Sequence, residues 1–283
     1  MQHLTHFAGL AAEYDGFILD LWGVIHDGVN PYPGAVKCLE HLRAAGKRVV
    51  LLSNAPRRAH VAQAGMRGMG IPDDLYTGIL TSGEATYLAL RDRTSPFFAG
   101  LGKRVFHLGP ERDRNVIEGL DLHRVETPAD ADFVLNTGPD DLGSATDIAS
   151  WEPLLRDCLA AGLPMICANP DLEVIRGGNR LICAGALTER YEAFGGQAVW
   201  IGKPDLAVYT HVMRILDMDR TRVLAVGDAL RTDIAGAKTA GIASCWVLGG
   251  IHGEELGNDQ ARIEAAASEA GLAPRACLPS FVW

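Results

Sequence analysis

The chain has 283 residues, 48% hydrophobic and 22% charged, with a formal net charge of −9. That balance fits a folded globular protein of one large or two moderate domains. It argues against a nucleic-acid partner or an anionic membrane surface, because both call for a basic face. A small anionic substrate held by a few local cations remains compatible with it. The six cysteines (Cys38, Cys158, Cys167, Cys183, Cys245 and Cys277) are scattered without a Cys-x-x-Cys pair. They read as reduced thiols rather than a disulfide frame or a zinc site. The opening stretch MQHLTHFAGLAAEYDG has no basic region followed by a long apolar segment, so no signal peptide is expected. No apolar run reaches the roughly 18 residues of a membrane helix. A cytoplasmic protein is the expectation.

In chain order, residues 3–14 read as a short helix and Phe17–Asp20 as a buried strand. A helix follows over 35–45, with Val36, Leu39 and Leu42 at helical spacing and Gly46 as its C-cap. Arg48–Ser53 is a second apolar strand ending in Ser53-Asn54. Pro56 opens a helix to about Gly68. Strand 79–82 and a helix over 83–91 complete a βαβαβα series, which calls for a parallel sheet with right-handed crossovers. Residues 92–102 resemble a linker. The alternation then restarts, with strands at 105–108, 133–136 and 165–168 and helices at 110–119, 150–161 and 184–195. Strands at 199–201, 223–226 and 244–248, with helices at 205–216 and 231–239, resume the first pattern. A helix near 258–270 precedes a loose end. The chain therefore reads as a Rossmann-like α/β core of residues 1–94 and 198–283, interrupted by a second α/β domain at 95–197.

Polar residues stand at the strand ends and turns of the core: Asp20, Ser53-Asn54, Lys203, and Asp228 with Asp233. Taken singly, each has an ordinary explanation. Asp20 can cap a turn, Ser53 and Asn54 can cap a helix, Lys203 can be a solvated turn residue, and Asp233 can favour a helix dipole. In a single parallel sheet, however, all of them converge beyond the carboxyl ends of the strands, where such sheets bind ligands. Together they form a kit for phosphoryl transfer. It comprises a carboxylate to attack phosphorus, a hydroxyl, an amide and a lysine for the phosphoryl oxygens, and grouped carboxylates for Mg²⁺.

These motifs resemble the haloacid-dehalogenase superfamily, specifically its class IIA phosphatases. The resemblance is carried by DLWGVIHDG at 20–28, Pro33-Gly34-Ala35, Leu52-Ser53-Asn54, Asn169-Pro170-Asp171, Gly202-Lys203-Pro204-Asp205, and the block from Val226 to Gly241. It spans about residues 14–251 and implies a C2-type cap for the insert, which closes over the site and selects the leaving group. It implies Asp20 as nucleophile and metal ligand, and Ser53 and Asn54 with Lys203 at the phosphate. Asp228, Asp233 and the backbone carbonyl of Trp22 would complete a Mg²⁺ site. Asn169 and Asp171 would lie near the substrate or the hinge. A small phosphorylated metabolite (a sugar, nucleotide or cofactor phosphate) is the implied partner. Dimerisation through the cap is common in the family, so a homodimer is an implied assembly.

The chain departs from the family at Trp22. Members usually read Asp-x-Asp, and the second Asp protonates the leaving oxygen and then activates water. Indole can do neither, and acid–base catalysis is typically worth about 10²–10⁴-fold. Three consequences are open. Turnover is slow or uses another acid, with His26 and Asp27 nearest in sequence and His26 also readable as a packing residue. Or the substrate has a leaving group good enough to need no acid. Or hydrolysis is lost, and the chain is a metabolite-binding or regulatory protein. Dehalogenases also carry an aromatic residue here, but the family's metal-binding Gly-Asp-x₄-Asp block and the large insert argue against that chemistry.

Overall fold

The apolar run before Asp20 lies at the centre of a parallel sheet because its residues are buried on both faces, as such sheets require. The computed structural model describes residues 1–139, 146–176, 179–251, 256–257 and 259–283. In chain order the first strands are β1 (Gln2–His3), β2 (Gly16–Leu19), β3 (Arg48–Ser53) and β4 (Gly78–Thr81). Then come β5 (Arg104–Leu108), β6 (His123–Val125), β7 (Phe133–Asn136), β8 (Met165–Cys167), β9 (Glu173–Arg176), β10 (Asn179–Ile182) and β11 (Ala198–Trp200). The last are β12 (Val223–Gly227), β13 (Ala243–Val247) and β14 (Ala276–Leu278).

A seven-stranded sheet has the order β1-β14-β13-β12-β2-β3-β4, parallel throughout. Successive side chains of a strand point to opposite faces, and the core divides accordingly. Phe17, Leu19, Val49, Leu51, Leu224 and Val226 pack on one side with Leu39 and Leu42 of helix Ala35–Ala44 and with Met66 of helix Ala59–Gly68. Ile18, Val50, Leu52, Val223 and Ala225 pack on the other, against helix Leu206–Leu216. The insert has its own five-stranded parallel sheet, ordered β11-β8-β7-β5-β6, and an antiparallel hairpin of β9 and β10.

Several sequence expectations need correction. Strand β11 pairs with β8 and belongs to the insert's sheet, not to the first one. An apolar run of three residues specifies burial but not which of two parallel sheets it joins; packing of Val199 and Ile201 on the insert's core decides it. The expected boundary at 197 thus falls just ahead of a strand of the insert's sheet. Only Ala8–Ala11 is helical within 3–14, and Gln2–His3 is a strand. The supposed loose end carries β14, inserted between β13 and β1. The helix expected over 110–119 is a tight 3₁₀ turn, Glu111–Val116. The linker at 92–102 contains a short helix, Pro96–Ala99, and the half-buried Arg93 donates to the carbonyl of Gly102. The β9–β10 hairpin and β6 are too short and too polar to show an alternation.

Phe281 follows β14 and is 1% exposed, with its ring centroid 4.9 Å from that of Phe7. Phe281→Ala should cost about 3–5 kcal/mol in guanidinium unfolding monitored by circular dichroism. A change within about 0.5 kcal/mol, as at exposed sites, would mean that this end does not pack in solution.

Candidate active site

The carboxyl ends of β2, β3 and β12 deliver the polar residues to one edge of the sheet. Asp20 directly follows β2, Ser53 ends β3 and Asp228 directly follows β12. Asp233 lies in a π-helical turn, Leu230–Ile234, which leads into helix Ala235–Ala240. Lys203 comes from the turn after β11. Its Nζ lies 2.7 Å from Asp20 Oδ1 and 2.7 Å from Asp233 Oδ1. All three residues are buried, with Lys203 only 2% exposed. Asp20, Asp228 and Asp233 each bring a carboxylate oxygen within 4.8 Å of the others.

Backbone amides fix each carboxylate. Asp20 Oδ1 accepts from the Leu21 amide at 2.8 Å, Asp228 Oδ2 from the Ile251 amide at 2.8 Å, and Asp233 Oδ2 from the Ala229 amide at 3.1 Å. The Trp246 indole donates to the carbonyl of Asp228, and the Tyr209 hydroxyl to that of Asp233. Burial pushes the Asp20 carboxyl well above the usual range, and Asp233 and Asp228 add to this against Lys203. Burial and Asp233 push Asp228 up to about 7. Burial alone would lower Lys203, but Asp20, Asp233 and Asp171 hold its ammonium well above its usual value. One lysine thus faces a cluster of three carboxylates. A compact set of hard oxygen donors with excess negative charge suits a divalent cation, so these residues fit a metal.

Asn54 joins the two halves of the chain. Its Oδ1 accepts the Lys203 amide at 2.8 Å, and its Nδ2 donates to Asp171 Oδ1 at 2.8 Å. Gly202 allows this approach: with φ at +136°, a Cβ there would stand 2.5 Å from Asn54 Oδ1. Asn169 Oδ1 accepts the amide of Asp171. Ser53 is buried, and its Oγ accepts the Ala55 amide at 3.2 Å.

Two cavities meet here. One, of about 580 Å³, is lined by Asp20, Asp228, Tyr32, Leu172, Arg231 and neighbours. The other, of about 500 Å³, is lined by Asn54, Arg57, Asp113, Asn169, Arg176 and neighbours. Trp22, Asp171 and Val174 line both. Ser53 and His26 line neither.

The Trp22 ring is held from both sides. It meets the His26 ring edge-on, with centroids 5.4 Å apart. A Cβ on Gly28, whose φ is +85°, would lie 2.0 Å from the indole. His26 is buried, and its Nδ1 faces the Gly28 amide at 3.0 Å as acceptor. Burial lowers it to about 4, with Asp27 opposing. Asp27 Oδ1 accepts the amides of Val29 and Asn30, as a turn residue does. The structure therefore does not bring His26 to either cavity, where a proton donor to the leaving group would stand. The sequence reading missed Arg57 and Asp113. Asp113 sits in the run Glu-Arg-Asp-Arg, which looks like a solvated charged turn, and nothing in that pattern marks the one member that is buried.

A sequence model of haloacid dehalogenase-like hydrolases matches residues 17–123, and a second, HAD-hydrolase-like model matches 200–274. A haloacid dehalogenase-like hydrolase from Brucella suis 1330 superposes with a TM-score of 0.85 at 31% identity, over 99% of this chain and 100% of that one. The chain belongs to the haloacid-dehalogenase-like hydrolases. Its relatives set it among their class IIA phosphatases, in keeping with its motifs. The D-glycerol 3-phosphate phosphatase of Mycobacterium tuberculosis is 31% identical over 252 residues, which is 86% of this chain; the chain spans 65% of that protein's length. A glycerol phosphate phosphatase from the same organism, solved in complex with calcium, has a TM-score of 0.62 at 27% identity, over 86% of this chain and 68% of that one.

Lys203→Met would leave its carboxylate partners buried without their cation. In chelator-treated protein it should lower stability by about 3–5 kcal/mol, read by urea unfolding. A loss within about 0.5 kcal/mol, typical of an exposed turn lysine, would contradict the bridged arrangement.

Proposed function

We propose that the chain hydrolyses small phosphate monoesters through a phospho-Asp20 intermediate, with Mg²⁺ held by Asp20, Asp228, Asp233 and the Trp22 carbonyl. The observation that carries this reading is Lys203 Nζ set 2.7 Å from both Asp20 and Asp233, at the edge of a cavity that Asp20 lines. The Lys203 ammonium and the Leu21 amide both contact Asp20 through Oδ1. Oδ2 is therefore the oxygen that attacks. An Oδ2–P bond forms as the P–O bond to the leaving group breaks. Water then attacks phosphorus and frees Asp20 and inorganic phosphate. Lys203 orients the nucleophile and offsets its charge beside the phosphoryl oxygens, a preorganised electrostatic role. Bound Mg²⁺ would offset charge on the same oxygens. Ser53 and Asn54 complete the phosphate-binding edge, and residues 95–197, together with β11, cover the site as a cap.

Trp22 shapes the chemistry by what it lacks. Its side chain lines both cavities where an acid would otherwise stand, and it cannot supply a proton to the departing oxygen. Substrates with stable leaving groups are turned over best, and alkyl phosphates slowly. His26, neutral and bonded through Nδ1, acts as a positioning residue for the Trp22 loop rather than as the acid. The six cysteines are free and buried, which supports a reduced, cytoplasmic setting. No described helix is long and apolar enough to cross a membrane.

Asp20→Asn should abolish phosphate release from 4-nitrophenyl phosphate with the circular dichroism spectrum intact; retained turnover would sink the nucleophile assignment. Phosphate release from the wild type should also stop in chelator and return with Mg²⁺. Trp22→Asp should raise kcat on alkyl phosphates more than on aryl phosphates, by roughly tenfold or more within the span of acid–base catalysis. Equal changes on both substrate types would show that proton donation does not limit the rate. Silence of the wild type on every phosphate, with thermal stabilisation by one of them, would favour the metabolite-binding reading.

A further inference from the structure

The second cavity holds charges that the chemistry at Asp20 does not use. Arg57, Arg112 and Arg176 line it together with Asp113. The Asp113 side chain is 2% exposed, and its Oδ1 lies 3.5 Å from Arg57 Nε. Both atoms are buried, and among the described residues neither has a hydrogen-bond partner. Buried polar groups are nearly always paired, and here Arg57 Nε and Asp113 Oδ1 have only each other, as a loose ion pair behind the cavity wall. Arg112 is exposed and Arg176 half-buried, and among the described residues neither side chain has a hydrogen-bond or ion-pair partner. Burial lowers Arg57; Asp113 opposes that, while Arg112 and Arg176 work against its charge. Three cations thus face two carboxylates, Asp113 and Asp171, in a chain whose net charge is −9. Guanidinium groups bind carboxylate and phosphate through paired, planar hydrogen bonds.

The three arginines come from separate places: the loop after β3, the turn at Glu111–Val116, and the β9–β10 hairpin. They converge only where the core and the insert pack together. Trp22, Asp171 and Val174 line both this cavity and the one containing Asp20. The two cavities therefore adjoin at the indole.

We propose that the second cavity is a leaving-group subsite for a remote anion, so that the preferred substrate is a phosphate monoester whose leaving group carries a carboxylate or a second phosphate. This rests on the phosphatase reading, with the scissile phosphate at Asp20. Arg57, Arg112 and Arg176 bind the remote anion. Asp113 is a positioning residue, which holds Arg57 toward the cavity and moderates the positive charge.

The test uses matched compounds that differ in the remote group. 3-Phosphoglycerate against glycerol 3-phosphate reads a carboxylate; fructose 1,6-bisphosphate against fructose 1-phosphate reads a second phosphate. Phosphate release gives kcat/KM, and calorimetry gives affinity, for the full-length chain with Mg²⁺. At least one anionic member should be favoured about tenfold or more, the scale of a charge-assisted contact, and the pair that shows it identifies the anion. Arg112→Gln and Arg176→Gln alter accessible side chains and should each pull that ratio toward one, mainly through KM. Asp113→Asn should raise the affinity for the anionic member several-fold, opposite in sign to the arginine variants, which a purely structural Asp113 would not do. Release from both members of each pair at equal kcat/KM would overturn the subsite and uphold the phosphatase. Anion-selective binding without release from any compound would overturn the phosphatase and uphold the subsite.

Discussion

The site depends on one ammonium group. Lys203 Nζ sits between Asp20 and Asp233, and its own residue is almost fully buried. Burying charges is expensive unless they are paired and hydrogen-bonded. Here the lysine lets two carboxylates share a dry edge of the sheet, and backbone amides from Leu21 and Ala229 hold each in orientation. The third carboxylate, Asp228, relies instead on the Ile251 amide. The cluster is left short of positive charge, which is the property that makes it receptive to a divalent cation. Catalytic potential and electrostatic strain are here the same arrangement.

The lysine also explains why two sheets meet where they do. It follows a strand of the insert's sheet, yet its side chain completes the edge of the core sheet. Asn54 answers from the core side, accepting the Lys203 amide and donating to Asp171. Further ties run beside it. Ser82 Oγ donates to the carbonyl of Ala168, Arg231 to that of Pro170, and the Arg58 amide to Asn115 Oδ1. These join strand ends of the core to loops of the insert, so the geometry of the cavities is coupled to the packing of the two units.

Much of this was legible in the sequence, for physical reasons. Strands buried on both faces announce themselves as apolar runs, and β2, β3 and β12 were visible with the polar residues at their ends. Asp20, Asp228 and Asp233, with Lys203, could be grouped because a parallel sheet brings strand ends to one edge. What stayed hidden is what depends on tertiary choice. The run at 198–200 carries no mark of which sheet it joins. The ends at 2–3 and 276–278 are too short to show a period, and only their mutual pairing makes them strands. His26 is a candidate proton donor by sequence position only; it is buried, faces the Gly28 amide and lines neither cavity, which no sequence pattern reveals. Arg57 of the core and Asp113 of the insert look like ordinary surface charges until the two units pack together.

The interleaving of the sheets has a consequence for the order in which the chain can mature on a ribosome. The five strands of the insert's sheet lie between residues 104 and 200, so that sheet can close as soon as that stretch has emerged. The core sheet cannot. Strand β2 can pair with β3 early but waits for β12 on its other edge, and β1 has no neighbour until β14 has emerged. Domains generally fold as units during synthesis, so here the unit encoded second is completed first. Asp20 gains its lysine only when the later half of the chain arrives. The cluster of Asp20, Lys203, Asp228 and Asp233 can therefore assemble only after the chain has been made past Asp233.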